Sequence, residues 1–293
     1  MLLSSWLRAI RIRFLLASVI AVSNGLAISY WKTGAIDPFH AALTYVGVVF
    51  LHASVDLLNE YWDHKRGIDS VTMRTKFSGG TGVLPENLLK PKAVYAAGVI
   101  FLILGASVGA YFVAVRGITI AVILGFAVVA IYFYSTSIVN AGLGEVFVAI
   151  KGAMIVLGTF YVQHAVIEPA AIFVGAIVGM LSATVLFVNS FPDFQADRSK
   201  GRRTLVILLG KKSAAAVFPL FIIAAYAMIV AGIFLGFTSI YSLISLAAAP
   251  FAVKGIMLLR KDHESVAKLV PVMGSAVTYS RISGFLLALS FIL

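Results

Sequence analysis

The sequence predicts an all-α fold, a polytopic membrane protein with about nine transmembrane helices in one bundle. Three observations lead there. The 293 residues are 61% hydrophobic and 12% charged, with mean hydropathy +1.01. A soluble domain with that balance could not cover its surface with polar groups. The apolar residues fall into runs of about 20, the length that crosses a bilayer as a helix. The basic residues gather on one side of those runs. Hydrocarbon offers backbone groups no outside partner, so the spans are helical. The chain has no cysteine, which excludes disulfides, thiolate metal sites and thiol nucleophiles.

In order, Arg8, Arg11 and Arg13 precede the first apolar run, roughly 14–31, which lacks a clear small-residue cleavage site for a signal peptide. Further runs follow at roughly 39–58, 93–114, 117–135, 143–164, 170–191, 214–235, 238–258 and 276–293. The stretch 262–275 reads as a short interfacial helix before the last span. Gly105, Gly109, Gly175 and Gly179 lie within spans, as close helix packing in membranes favours. With the N-terminus cytoplasmic, all but three of the 23 Lys and Arg fall at the cytoplasmic side. The exceptions are Lys32 and Arg116 in outer loops and Lys151 inside the fifth span. This positive-inside bias fixes the orientation in the cell membrane and leaves the C-terminus outside. It also accounts for the net charge of +11 without nucleic acid. The whole of 1–293 reads as one domain, with polar cap loops near 63–92 and 192–213. No obligate protein partner is evident; the bilayer is the implied environment.

Two polar stretches follow directly on apolar spans and nearly repeat each other. The first runs from Asn59 through Asp63 to Asp69, the second from Asn189 through Asp193 to Asp197, and each leads into basic residues. Both lie at cytoplasmic helix ends, the second and the sixth. Residues at i and i+4 share a helix face, so Asn59 aligns with Asp63 and Asn189 with Asp193. Asp197 continues that face only if the helix persists past Pro192. Asp and Asn oxygens suit hard cations, and Mg2+ typically takes one or two carboxylates together with substrate phosphates. Two facing motifs fit two Mg2+ ions with a diphosphate between them. Lys65, Arg66, Arg74, Arg198 and Arg202, with Arg13 at the mouth of the first span, are the cations available for the phosphate oxygens. Solvated helix ends explain one such motif, but not two with the same pattern on the same side.

The chain resembles the UbiA superfamily of intramembrane prenyltransferases, which carries two Asp-rich N-x-x-x-D motifs on cytoplasmic helix ends. Phe77–Pro85, Tyr134 followed by Gly142-Leu-Gly-Glu145, and Asp197–Leu205 with Leu209-Gly210 resemble its dihydroxynaphthoate polyprenyltransferase branch. The resemblance covers most of residues 10–212. It implies a bundle around a central cavity open to lipid. A polyprenyl diphosphate donor is expected under the cytoplasmic cap, on Mg2+ held by Asp63, Asp69, Asp193 and Asp197 with Asn59 and Asn189 assisting. The acceptor it implies is aromatic, 1,4-dihydroxy-2-naphthoate, losing its carboxylate as the prenyl group attaches. Mg2+ and fixed cations stabilise charge on the departing diphosphate, and aromatic faces stabilise an allylic cation. The family match singles out Tyr134 for the second task.

Lys151 is the odd charge, about two turns into its span, where a lysine usually faces a cavity. It reads as a diphosphate ligand, as a partner of Glu145 or an Asp, or as half of a structural ion pair. Asp56, one turn deeper than Asn59, either extends the metal face or pairs with Arg13 or Lys151. His52 and His164 read as hydrogen-bonded core residues and His64 as solvated. Phe77-Ser-Gly-Gly-Thr-Gly permits close backbone approach to an anion or acceptor, or a gate over the cavity. Glu145 opens a helix, where a carboxylate suits the dipole; an acceptor-binding role for it rests on the resemblance. Two other readings remain open at this point. One keeps the donor and transfers to a glycerol-phosphate ether lipid. The other is a transporter, against which the charges lie at one face and not at the midplane.

Overall fold

The structure, a computed structural model, describes residues 2–69 and 71–293. Among the described residues it is helical throughout, without a strand, and nine helices are long and apolar enough to cross a membrane. A short amphipathic helix α1 (Leu2–Ala9) turns at Arg11, in the left-handed region at φ 48°, into α2 (Ile12–Thr33). Then come α3 (Pro38–Lys65), α4 (Pro91–Arg116), α5 (Ile118–Phe133), α6 (Gly144–His164) and α7 (Pro169–Asn189). Two short helices, α8 (Phe194–Ser199) and α9 (Leu205–Leu209), precede α10 (Lys211–Phe234), α11 (Ala249–Lys261) and α12 (Val266–Leu289).

Several starts are written in the sequence. Pro38 opens α3 behind Asp37, whose carboxylate accepts from the Phe39 and His40 N–H groups at 2.9 and 3.1 Å. Pro169 opens α7 in the same way behind Glu168. Three expectations change. The ninth helix begins at Val266 and not near 276, so 262–275 is its approach and first turns rather than an interfacial helix. Lys268 and Pro271 dilute the hydropathy there, but Lys268 pairs with Asp262 at 2.8 Å and Pro271 is absorbed inside the helix. The eighth span enters as a 3₁₀ segment, Ile240–Ala248, before α11. The fourth leaves α5 through a π-turn, Tyr134–Ile138, and a 3₁₀ turn, Val139–Ala141.

Large apolar side chains such as Ile103, Ile118, Val122, Ile223 and Phe234 face outward, as a bilayer-embedded surface requires. The main packed core gathers α2, α6, α7, α10, α11 and α12 around Ile177, Phe187, Phe218 and Tyr279. Helices α6 and α7 approach almost backbone to backbone. A Cβ on Gly152 would lie 2.7 Å from the Gly179 Cα, so only glycines permit that crossing. On the other side α3, α4 and α5 close against α2 and α6 less completely. They leave a cavity of about 370 Å³ reaching from Asn59 and Asn189 at one end to Thr44, Phe112 and Val162 at the other. Its walls are mainly apolar and its motif-bearing end is polar.

Candidate active site

The two Asn/Asp motifs converge at the mouth of this cavity. Helix α3 runs through Lys65, so Asn59 and Asp63 share its inner face as their spacing predicts. Helix α7 ends at Asn189, so Asp193 lies in the following turn and not on an extension of the helix. Asp197 then stands one turn along α8, its N–H bonded to the Asp193 carbonyl at 2.8 Å. The Pro192 break that made its aim uncertain is real, and α8 restores the aim. Asp63, Asp69 and Asp197 are all buried.

Arg202 ties the motifs together. Its guanidinium bonds Asp63 on α3 through Nη2, and Asp197 Oδ1 on α8 through Nη1 at 3.1 Å. Burial works against its charge, but the two carboxylates outweigh burial and hold its pKa above the ordinary value. The remaining acids lack such a partner. Asp69 Oδ2, Asn189 Oδ1 and Asp193 Oδ1 are buried without a hydrogen bond. Burial, and then the Glu60 and Asp63 carboxylates, push the Asp69 carboxyl up to about 8. Burial, and then Asp197 and Asp63, push Asp193 up to about 7. Buried acceptors without donors are costly. The cluster is therefore short of positive charge, and its hard oxygen donors fit Mg2+. Among the described residues no three His, Asp or Glu side chains close on one point as a cage. An ion there needs ligands from a bound phosphate, which is how Mg2+ is usually held.

The expected phosphate cations divide. Lys65 and Arg198 are exposed at the rim, Lys65 lying over the Trp62 ring at 4.9 Å. Arg13 is also exposed, its carbonyl taken by Arg281. Arg66 and Arg74 are engaged elsewhere, Arg66 with the turn after α5 and Arg74 within its own loop. Arg66 donates to the Ser135 and Thr136 carbonyls at 2.8 and 3.0 Å and to Asn140 Oδ1 at 3.1 Å, bracing the π-turn. Arg74 bonds Glu86, which Arg8 also holds at 2.8 Å. Ser135 donates to Asn59 Oδ1 at 2.6 Å, so the first motif is fastened to the turn that carries Tyr134. Tyr134 faces the cavity beside Phe147 and Glu145. Glu145 is buried beside the Leu205 backbone N–H, with Oε1 unpartnered. Lys151 lies deeper in the cavity wall, where the acid facing it is Asp56 and not Glu145. His52 bonds Ser18 at 2.7 Å, as expected of a core histidine, whereas His164 Nε2 has no partner.

A sequence model of the UbiA prenyltransferase family matches residues 17–290. The chain belongs to that family. It is thus a prenyl-transferring enzyme of the membrane. This UbiA protein is 25% identical to a 1,4-dihydroxy-2-naphthoate octaprenyltransferase of Escherichia coli, over 99% of this chain and 95% of the other. It is 26% identical to a Bacillus subtilis enzyme of the same name, over 95% and 89%. Its fold matches a UbiA homologue from Archaeoglobus fulgidus bound to DMAPP and Mg2+, with TM-score 0.67 at 15% identity over 97% and 99% of the chains. It also matches a digeranylgeranylglyceryl phosphate synthase, with TM-score 0.67 at 19% identity over 99% of both chains.

Two residues of this UbiA site gave no distinct signal in the sequence. Glu60 is fully buried and accepts from Thr81, through N–H at 3.0 Å and Oγ1 at 2.6 Å, and from Arg11 at 3.4 Å. It pins the glycine loop to α3. Arg11 was one more N-terminal cation in the charge pattern, yet it lines the cavity. The loop so pinned presses Gly80, at φ +73°, against Asp69; a Cβ there would lie 2.5 Å from Asp69 Oδ1. Gly80→Ala is expected to cost about 1–2 kcal/mol from the left-handed backbone alone. It also displaces Asp69, so prenyl transfer falls together with the melting temperature. Unchanged melting and activity would show that the loop does not set the Asp69 carboxylate.

Proposed function

We propose that the protein transfers the prenyl group of a polyprenyl diphosphate to 1,4-dihydroxy-2-naphthoate, in a Mg2+-dependent step of menaquinone synthesis. The observation that carries this is the set of unpartnered buried oxygens of Asp69, Asn189 and Asp193 at the head of a long apolar cavity. The head suits a metal diphosphate and the cavity suits an isoprenoid. The naphthoate acceptor is favoured because relatives aligned over nearly the whole chain carry that name, whereas the ether-lipid reading has a likeness of fold alone.

Asp63, Asp69, Asp193 and Asp197 hold Mg2+ in this reading, with Asn59 and Asn189 assisting. When bound, the metal supplies positive charge where the leaving diphosphate gathers negative charge. Arg202 fixes the separation of Asp63 and Asp197 rather than meeting the diphosphate alone. In this reading the exposed Lys65 and Arg198, with Arg11 from the cavity wall, supply cations for the outer phosphate oxygens. As the allylic C–O bond breaks, the face of Tyr134, stiffened through Ser135 and Arg66, steadies the cationic carbon. The apolar walls keep water from it until the acceptor ring attacks, forming the C–C bond, and the ring then loses its carboxylate as CO2 to become aromatic again. The whole chain acts as one prenyltransferase domain, with 63–92 and 192–213 as its cap on the cytoplasmic side. The test is purified protein in nanodiscs with a panel of aromatic and glycerol-phosphate acceptors and donors of several lengths. Prenylated naphthoate is expected with Mg2+ and none with EDTA. Transfer to the glycerol phosphate alone, or transfer undiminished by EDTA, would overturn the proposal.

A further inference from the structure

Deeper than Asn59 and Asn189 the cavity holds a second polar layer. Lys151 lines it from α6, Asp56 and His52 from α3, and Ser18 from α2. Among the described residues the Lys151 ammonium has no hydrogen-bond or ion-pair partner, although Asp56 faces it. Asp56 Oδ2 is buried without a hydrogen bond and sits 3.8 Å from His52 Nε2. His52 is fixed in turn by Ser18. A lysine at this depth is expensive and implies an anion or a strong acceptor for it.

Depth says which anion. The Gly152–Gly179 contact puts Lys151 level with α7 near Gly179, about 15 Å of helix rise below Asn189. Its side chain leans toward the N-terminus of α6, which is the motif-bearing end. The ammonium therefore stands between the rim and the apolar floor made by Leu51, Val108 and Leu124. Asp56 lies about 10 Å of helix rise below Asp63. A diphosphate centred on Asp63 and Asp193 lies about two helical turns above Asp56, and a prenyl tail has nothing to offer an ammonium. The ligand that must enter this layer, beside the donor's reactive carbon, is the acceptor.

We propose that Lys151 and Asp56 form the acceptor subsite, Lys151 pairing with the carboxylate of an aromatic acid and Asp56 accepting from a hydroxyl of the same ring. This deepens the function proposed above and rests on it for the order of donor and acceptor along the cavity. Lys151 is then the specificity residue for acidic acceptors. Free Asp56 repels the carboxylate, so the pair also sets the ring's orientation, hydroxyl toward α3 and acid toward α6.

The test is equilibrium binding to the full-length protein in nanodiscs, without donor or Mg2+, of 1-hydroxy-2-naphthoate and of 1-naphthol. Wild type is expected to prefer the acid by about ten- to a hundredfold, the range of a hydrogen bond to a charged group. Lys151→Met loses that preference and binds 1-naphthol as wild type does; Lys151→Arg keeps part of it. In turnover, Lys151→Met raises the KM for the acid and leaves the donor KM in place. No acid preference in wild type, or a preference that survives in Lys151→Met, overturns the proposal. A rise in donor KM with unchanged acid binding overturns it too, by assigning Lys151 to the diphosphate. If Lys151→Met binds neither ligand, Lys151→Arg decides, and loss of acid preference there with 1-naphthol binding retained overturns the proposal. Failure of the enzymatic reading is a different result: wild type that prenylates no aromatic acceptor, whatever it binds.

Discussion

Asp63→Asn is expected to lower prenyl transfer by about 10²–10³, the usual cost of removing one group that stabilises charge developing in a transition state. The substitution keeps the size of the side chain and removes its charge. Arg202 is then left with Asp197 alone, and the proposed metal site loses the one carboxylate held on a long helix. Asp193→Asn should be equally inactive but differ in stability. Among the described residues Asp193 makes no ion pair; burial, and then Asp197 and Asp63, outweigh the more distant Arg11 and Arg202 and push its carboxyl up to about 7. Neutralising it relieves repulsion in the metal-free protein, so its melting temperature is expected to hold or rise without Mg2+. Asp63→Asn weakens a buried ion pair and should lower the melting temperature. Diphosphate release and thermal melting with and without Mg2+ read all of this. Release near the wild-type rate in both variants would remove the metal-diphosphate argument, and equal melting shifts would remove the claim that Arg202 distinguishes the two acids.

What could be read in advance follows from the range of the forces involved. Hydropathy and i,i+4 spacing are local, so the nine spans and the shared face of Asn59 and Asp63 were legible. The turn to Asp193 was not, because Pro192 forbids the helix to continue without saying where the chain goes next. The ninth helix was placed late because Lys268 and Pro271 lower the local hydropathy while Asp262 neutralises the lysine. Partners far apart in sequence were out of reach. Arg66 looked like a phosphate cation, but it braces carbonyls of a π-turn that no propensity signals. Family resemblance singled out Tyr134; the hydrogen bond from Ser135 ties its turn to Asn59 of the first motif.

Glu60→Ala should give the largest loss of stability among single changes at the mouth of the cavity. The carboxylate is fully buried and serves three donors at once: the Thr81 N–H, the Thr81 hydroxyl and Arg11. Removing one partner of a buried pair costs about 3–5 kcal/mol, and the partial exposure of Arg11 places this case near the lower end of that range. Arg11 is already strained in backbone, at φ 48°, its Nε has no partner, and Glu60 is the carboxylate its guanidinium bonds. Glu60→Gln keeps an acceptor for Thr81 and loses only the charge, so about 1–2 kcal/mol is expected, close to one hydrogen bond to a charged group. The order of melting temperatures should be wild type, then Gln, then Ala. The site should follow the loop. Once Thr81 is released, Gly80 no longer backs Asp69, and the Mg2+ concentration needed for half-maximal prenyl transfer rises in the same order. Protease cleavage between 71 and 90 should quicken in parallel. Melting of Glu60→Ala at the wild-type temperature would show that the loop is held by other contacts. A melting loss without a change in Mg2+ requirement would separate the loop's anchorage from the aim of Asp69.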